Sequence, residues 1–183
     1  SSKTARVQTG DTLTCSATAT DSDGETPTIG YDWRRTRRGV TKGISSGSSV
    51  TLDTANWQPG DTVICRATAT DGYSAWDRDS TSTSIDNQLP VITDLSITPN
   101  SGVTTSTKLS CTGTGNDPDD SGALTWSYVW KNDTKGTTLG TGSSVTLTYS
   151  SASPFDTISC GATVLDQTGG SATETTTVNV INR

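Results

Sequence analysis

The sequence predicts an all-β protein made of two similar domains. Threonine, valine and isoleucine occur in short runs of alternating polar and apolar residues, separated by glycine, asparagine, aspartate and serine, as is typical of short strands. No stretch places apolar residues at the spacing of an amphipathic helix. A series of sequence blocks also recurs once along the chain, at an offset of 95–97 residues.

The recurring blocks keep the same order in both halves. They are "YDWR" and "YVWK", "SGSSVTL" and "TGSSVTL", and "GDTVICRAT" and "FDTISCGAT". The segment "SIDNQLPVITD" joins the halves, and Asn87 and Pro90 in it favour a break between domains. The sequence therefore predicts a first domain over residues 1–87 and a second over residues 88–183.

Composition and charge argue against several classes of protein. The net charge is −6, whereas nucleic-acid binding needs a positive surface, and no run of apolar residues is long enough for a membrane span. The four cysteines have no CxxC spacing and the chain has no histidine, so disulfides are a better expectation than a zinc site. Because disulfides persist in oxidising compartments, we expect an extracellular or cell-surface location.

Each half carries a cysteine, a tryptophan 18 or 19 residues later, and a second cysteine about 50 residues after the first. These residues are Cys15, Trp33 and Cys65 in the first half and Cys111, Trp130 and Cys160 in the second. The pattern resembles immunoglobulin-like β-sandwiches, and most of all the tandem Ig-like, PKD-like or cadherin-like repeats of large bacterial surface proteins. The resemblance implies two sandwiches, each with one disulfide between its sheets (Cys15–Cys65 and Cys111–Cys160) and with Trp33 or Trp130 packed on it. Val63 and Ile158 stand where antibody-type domains carry a tyrosine, so that feature is absent.

The two halves differ at their first strand. "PVITDLSITP" precedes the first cysteine of the second domain and is expected to form its strand A, whereas only 14 residues precede Cys15. We therefore expect strand A of the first domain to be incomplete.

Acidic residues follow the strands that hold the cysteines. In an immunoglobulin-like sandwich strands B and F end at the same pole, so the loops after them should meet there. Converging carboxylates are suitable calcium ligands, as in the interdomain calcium sites of cadherin-like arrays. The alternative is that each aspartate bonds its own backbone in a strand-end turn, and both interpretations stay open. The residues concerned are Asp21, Asp23, Glu25 and Asp71 in the first domain, Asp117, Asp119, Asp120 and Asp166 in the second, and Asp86 in the linker.

Two further segments are candidates for ligand contact. Arg34, Arg35, Arg37 and Arg38 follow Trp33 and could dock on an anionic glycan or an acidic neighbouring subunit. Their alternative role is a charged edge that resists aggregation. Tyr73 and Trp76 lie in the loop after Cys65, where they could stack on sugar rings or contact a protein, or else fold back over the pole of the domain.

The residues give little support for catalysis. The chain has no histidine, no thiol expected to be free and no serine with an evident base, so we expect no enzyme activity and no required cofactor beyond possible calcium. The expected function is a structural and adhesive module of an extracellular surface protein or fibre, acting as a spacer or binding stalk beside neighbouring Ig-like domains or subunits. The alternatives are a filament subunit joined by strand exchange and a carbohydrate-binding module that recognises a surface glycan.

Overall fold

The computed structural model describes residues 6–119 and 122–182, and it divides the chain into two compact units. Domain 1 is Ser1–Gln88 and domain 2 is Leu89–Arg183, a boundary one residue later than the one proposed from the sequence. Every regular element in the described residues is a β-strand. Accordingly, no helix in this part of the chain is long and apolar enough to cross a membrane.

Domain 1 contains six described strands in two sheets. A two-stranded sheet pairs the first strand with the fourth, and a four-stranded sheet has the order β3-β2-β5-β6, with all pairs antiparallel. The strands are β1 (Thr12–Thr14), β2 (Thr28–Arg37), β3 (Val40–Ser46), β4 (Ser49–Thr51), β5 (Thr62–Thr70) and β6 (Trp76–Ser84).

Domain 2 repeats this plan and adds a strand at its start. Its smaller sheet has three strands in the order β11-β8-β7, and its larger sheet has the order β10-β9-β12-β13. The strands are β7 (Val91–Thr98), β8 (Lys108–Asn116), β9 (Thr125–Asn132), β10 (Thr137–Thr141), β11 (Ser144–Thr146), β12 (Thr157–Leu165) and β13 (Ser171–Asn179).

A disulfide joins the two sheets of each domain. Cys15 bonds Cys65 and Cys111 bonds Cys160, with Cα atoms 6.4 and 6.5 Å apart. In each domain the buried tryptophan stands directly opposite the second cysteine in the ladder between neighbouring strands. In the lettering of immunoglobulin-like sandwiches, strand B is β1 or β8, strand C is β2 or β9, strand E is β4 or β11, strand F is β5 or β12, and strand G is β6 or β13. Strands B and E in one sheet and C, F and G in the other, with a B–F bridge, form an immunoglobulin-like sandwich, so the predicted fold class is confirmed.

Each buried indole also makes a hydrogen bond to the backbone of a turn. The Trp33 N–H donates to the carbonyl of Gly47 (2.9 Å), and the Trp130 N–H donates to the carbonyl of Gly142 (3.0 Å). Both carbonyls belong to the Ser-Gly or Thr-Gly turn of the repeated "GSSVTL" block. The same turn thus satisfies the buried indole donor in both domains.

The part of the core beyond the second cysteine, toward the ends of β5 and β12, differs between the domains. In domain 2, Ala162 and Val164 on β12 are fully buried, whereas the equivalent Ala67 and Ala69 on β5 are only half-buried. In domain 2 the ring of Trp126 also lies over Gly113, so closely that an added Cβ at that glycine would be 2.4 Å from Cζ3. Domain 2 is thus packed along its whole length, and domain 1 is packed mainly around its disulfide.

The close approach of Trp126 to Gly113 predicts a site-specific cost. We expect Gly113→Ala to lower the free energy of unfolding of domain 2 by about 1–3 kcal/mol, because the methyl group must displace a large ring. Gly140→Ala is the matched control, since nothing lies within 4 Å of its added Cβ. Urea unfolding of both variants measures the difference, and equal losses in the two would contradict the packing described.

Candidate functional site

Four aspartates occupy equivalent positions at the ends of the B and F strands, and all four have the same local role. Each carboxylate accepts a hydrogen bond from the backbone N–H two residues later, an arrangement that stabilises a strand-end turn. The pairs are Asp21 with Asp23 (2.8 Å), Asp71 with Tyr73 (2.8 Å), Asp117 with Asp119 (3.2 Å) and Asp166 with Thr168 (2.8 Å). The turn-forming role is therefore present at every one of these positions.

The two aspartates after strand F organise a longer turn. The same oxygen of Asp71 accepts a second N–H, from Ala75 (2.8 Å), and the same oxygen of Asp166 accepts one from Gly170 (2.7 Å). The backbone N–H of each aspartate bonds back to the carbonyl of Ala75 or Gly170 (3.0 Å). One carboxylate thus holds the whole F–G turn in each domain.

The loops after strands B and F approach each other in both domains. In domain 1 a carboxylate oxygen of Glu25 lies 3.0 Å from the position that a Cβ on Gly72 would take, and Asp21 and Asp71 line one cleft. In domain 2 the pKa of Asp117 is raised to about 6, mainly by burial and also by the neighbouring carboxylates of Asp119 and Asp166, against the lowering effect of the Asp119 N–H.

Calcium binding by these residues stays a prediction. Within residues 6–119 and 122–182, no three acidic side chains are arranged as a metal site. Asp23 and Glu25 are exposed, and Asp86 lies 3.9 Å from the guanidinium of Arg6. Asp120, also named from the sequence, lies outside the described residues.

The arginine cluster is largely engaged within domain 1. Arg37 makes two hydrogen bonds to the buried carboxylate of Asp61 (2.7 and 2.6 Å), and this contact raises the pKa of the guanidinium. Arg35 donates to the carbonyl of Asn56, and Arg34 lies 3.9 Å from Asp32. Arg38 is exposed in the β2–β3 turn. Docking of an anionic ligand on this cluster stays a prediction, with Arg38 its most accessible member.

The sequence reasoning missed the buried aspartate before strand F. Asp61 also accepts the backbone N–H of Gln58 (2.9 Å). Its equivalent, Asp156, accepts from the Asn132 amide (2.6 Å) and lies 3.4 Å from the Lys135 ammonium. The Asn132 bond, opposed by burial and supported by Lys135, holds the pKa of Asp156 below its ordinary value. The signal was present in the blocks "GDTVIC" and "FDTISC", which share this aspartate.

The two loop aromatics of domain 1 point into solvent. Tyr73 is 81% exposed and Trp76 is 63% exposed, so neither folds back over the pole of the domain. The guanidinium carbon of Arg78 lies 4.8 Å from the centre of the Trp76 ring, a cation–π contact that covers one face of the indole.

Next to Trp76 lies a cleft of domain 1 with a volume of about 480 Å³. Its floor is made of small side chains from the B and F strands, and its rim is acidic with one arginine. The residues that carry these properties are Ala17, Ala19, Ala67 and Ala69 on the floor and Asp21, Asp71, Asp77, Arg78 and Asp79 on the rim. This cleft and the exposed Trp76 together form the candidate binding site.

Comparison with known proteins gives limited likenesses. No protein-family model matches the sequence, and no curated protein matches it. The amphioxus IgVJ-C2 molecule is 13% identical with a TM-score of 0.44, and the match covers 97% of this chain and 100% of that one. Three N-terminal domains of the Highly Immunogenic Outer Capsid protein (Hoc) of bacteriophage RB49 are 14% identical with a TM-score of 0.40, covering 97% of this chain and 67% of that one. At these TM-scores the likenesses carry no argument about function, and the assignment of the fold depends on strand order and the disulfides.

The raised pKa of Asp117 predicts a pH dependence of domain 2. Because the folded state holds this proton more tightly than the unfolded state does, the unfolding free energy should fall as the pH rises from about 4 through about 6. Asp117→Asn keeps the turn-forming oxygen and removes the charge, so it should stabilise domain 2 at pH 7 and have less effect at pH 5. Urea unfolding in EDTA at both pH values measures this.

Asp94→Asn, at an exposed position of β7, is the control for this measurement and should leave the slope unchanged. Asp156 does not interfere, because its lowered pKa places its titration below this range. If Asp117→Asn and the unchanged chain lose stability equally between pH 5 and 7, the burial of the Asp117 charge is not the cause.

Proposed function

We propose that the chain is a structural and adhesive module of an extracellular surface protein or fibre, in which the Ig-like domains act as a spacer or binding stalk. The observation that supports this most is the intersheet disulfide of each domain. Disulfides and sandwich domains of this kind are typical of extracellular proteins. The expected partners are neighbouring Ig-like domains or subunits of the same fibre.

The energetics support an oxidising location. Each bridge closes a loop of 50 or 49 residues, which corresponds to about 4 kcal/mol of stabilisation by loop entropy. A domain of this size has a total stability of about 5–15 kcal/mol, and the half-open core of domain 1 is expected to lie near the lower end. Domain 1 would therefore be poorly suited to a reducing compartment.

The proposed role involves no catalysis and no required cofactor. The chain has no histidine, and the structure contains no free cysteine. Calcium at the acidic loops is a further proposal, supported by the electrostatic effect of the Asp119 and Asp166 carboxylates on Asp117 in domain 2.

Surface labelling of intact source cells or particles tests the location. An antibody raised against the folded chain should label them without permeabilisation, and brief external proteolysis should remove the signal. A cytoplasmic protein of the same source is the control, since it should be labelled only after permeabilisation. If this chain behaves like the control, the extracellular role is wrong.

A carbohydrate-binding module is the second candidate, supported by the exposure of Trp76 beside the acidic cleft. Indoles stack on sugar rings, and carboxylates accept hydrogen bonds from sugar hydroxyls. We expect a glycan-array signal to be lost in Trp76→Ala and kept in Tyr149→Ala, a matched aromatic of domain 2 that is 82% exposed. Equal signals from both variants would place sugar binding elsewhere.

A further inference from the structure

A cleft on the flank of domain 2 combines two partly exposed aromatic rings with free polar groups. It has a volume of about 450 Å³ and is lined by residues 126–129 and 141–143. It lies where β10 ends at Thr141 while β9 continues, and in the described part of the chain no strand pairs with β9 on this side beyond Val129. The whole lining comes from the middle of domain 2.

Trp126 and Tyr128 form one side of this cleft. They project from the same face of β9, with ring centres 6.2 Å apart and ring planes 12° from parallel. The six-membered part of the indole is fixed against β8, since its Cζ3 would lie 2.4 Å from a Cβ added to Gly113 and its Cζ2 3.3 Å from one added to Gly115. The indole is thus held in position before any ligand binds, which lowers the entropy cost of binding.

The polar atoms of both rings are available to a ligand. In domain 1 the hydroxyl of Tyr31, the equivalent of Tyr128, accepts the backbone N–H of Ala17 (3.0 Å). In domain 2 the Trp126 ring lies over the equivalent Gly113, and no group in residues 6–119 and 122–182 forms a hydrogen bond with the Tyr128 hydroxyl or the Trp126 indole N–H. Both rings are only partly buried, and both polar atoms reach solvent.

The rest of the lining sets the chemical class of the ligand. It contributes the side-chain hydroxyls of Ser127, Thr141 and Ser143, and none of the lining residues is charged. A purely apolar ligand would leave the indole and phenol groups without partners, and an ionic ligand would find no counter-charge. A sugar ring fits both conditions, because its C–H face packs on an aromatic ring while its hydroxyls donate and accept hydrogen bonds.

An added β-strand is a poorer occupant of this cleft. The free edge of β9 is short, and the carbonyl of Tyr128 already accepts the N–H of Gly142 (3.0 Å). This leaves Thr125, Trp126 and Ser127, whereas a typical strand has about five or six residues.

The combination of groups is particular to domain 2. Ile29 stands at the position of Trp126 in domain 1, so the indole is missing there. Asp32 stands at the position of Val129 and bonds Arg66 (2.6 Å), so the equivalent place in domain 1 carries a charged pair.

We propose that the cleft of domain 2 binds an uncharged sugar ring of a glycan. The sugar packs on the exposed part of the aromatic pair, and the indole N–H of Trp126 and the hydroxyl of Tyr128 bond its hydroxyl groups. This goes beyond the proposed role as a stalk and is separate from the Trp76 site of domain 1. It holds whether or not either of those proposals is correct.

The probes are uncharged tetrasaccharides of glucose, mannose and galactose, titrated into the full chain. They are used up to about 10 mM, where a site with a Kd of about 1 mM is mostly occupied. NMR of the five indole N–H groups measures binding, and the Trp126 signal is assigned by its loss in Trp126→Phe. At least one probe should shift this signal. No shift with any of them, or a shift only with an acidic tetrasaccharide such as an oligogalacturonate, overturns the proposal.

Removal of one hydroxyl tests the contact with the sugar. Tyr128→Phe keeps the ring and removes a group that has no hydrogen bond in the described protein, so the variant should fold and bind about fivefold more weakly. Tyr149→Phe is the matched control, since this tyrosine is 82% exposed and lies outside the cleft. Equal affinities in the two variants contradict the site.

A second pair of variants blocks the cleft without touching the aromatic rings. Thr141 and Thr138 are both exposed residues of β10, but only Thr141 lines the cleft. Thr141→Arg should abolish the shift of the Trp126 signal, and Thr138→Arg should leave it unchanged. If Thr141→Arg binds normally, the sugar is not in this cleft.

The Trp76→Ala variant separates this site from that of domain 1. It should leave the shift of the Trp126 signal unchanged, and loss of the shift would place the sugar in domain 1 and overturn the proposal. Surface labelling gives an independent result, so failure of the stalk role and failure of sugar binding at domain 2 remain distinguishable.

Discussion

The covalent link between strands B and F is the constraint on which each domain depends. In domain 1 the smaller sheet has only two described strands of three residues each, and Cys15 follows β1 directly. Such a sheet has few ladder hydrogen bonds, and an isolated two-stranded sheet is marginal in water. The disulfide anchors it to β5, and the buried Trp33 and the partly buried Cys15 belong to the same core cluster. In the larger sheet, β2 and β6 pair with β5 on its two sides, and β3 pairs with β2.

The two domains differ in the side chains that line the space between their sheets beyond the disulfide. In domain 2, Gly113 on β8 leaves room for the ring of Trp126, and Gly115 leaves room for both that ring and the backbone of Val91 on β7. Domain 1 has alanines at both glycine positions and Ile29 in place of the tryptophan. The ring that fills this part of domain 2 is therefore replaced in domain 1 by a smaller side chain. The repeats therefore share a framework and differ in what their surfaces can accept.

Much of the fold could be predicted from sequence because its determinants are local or repeated. The cysteine and tryptophan spacing indicated the sandwich, and the offset blocks indicated two domains. The Arg37–Asp61 pair was missed, since its partners are 24 residues apart and meet only across strands. The four strand-end aspartates were left open between two roles because both need the same residue type in the same place. Only the backbone hydrogen bonds show that each one holds a turn.

The position of the disulfides has a consequence for a chain under tension. Force applied at the two ends of domain 1 enters at Cys15 and leaves at Cys65 through the sulfur bridge, so the chain between them carries no load. Because the two cysteines are 50 residues apart, about 170 Å of contour length is protected from extension while the disulfide is intact. Domain 2 shields a similar length between Cys111 and Cys160. Under tension each domain can therefore extend only outside its disulfide loop. The chain within the loop extends only after a reductant has broken the bond.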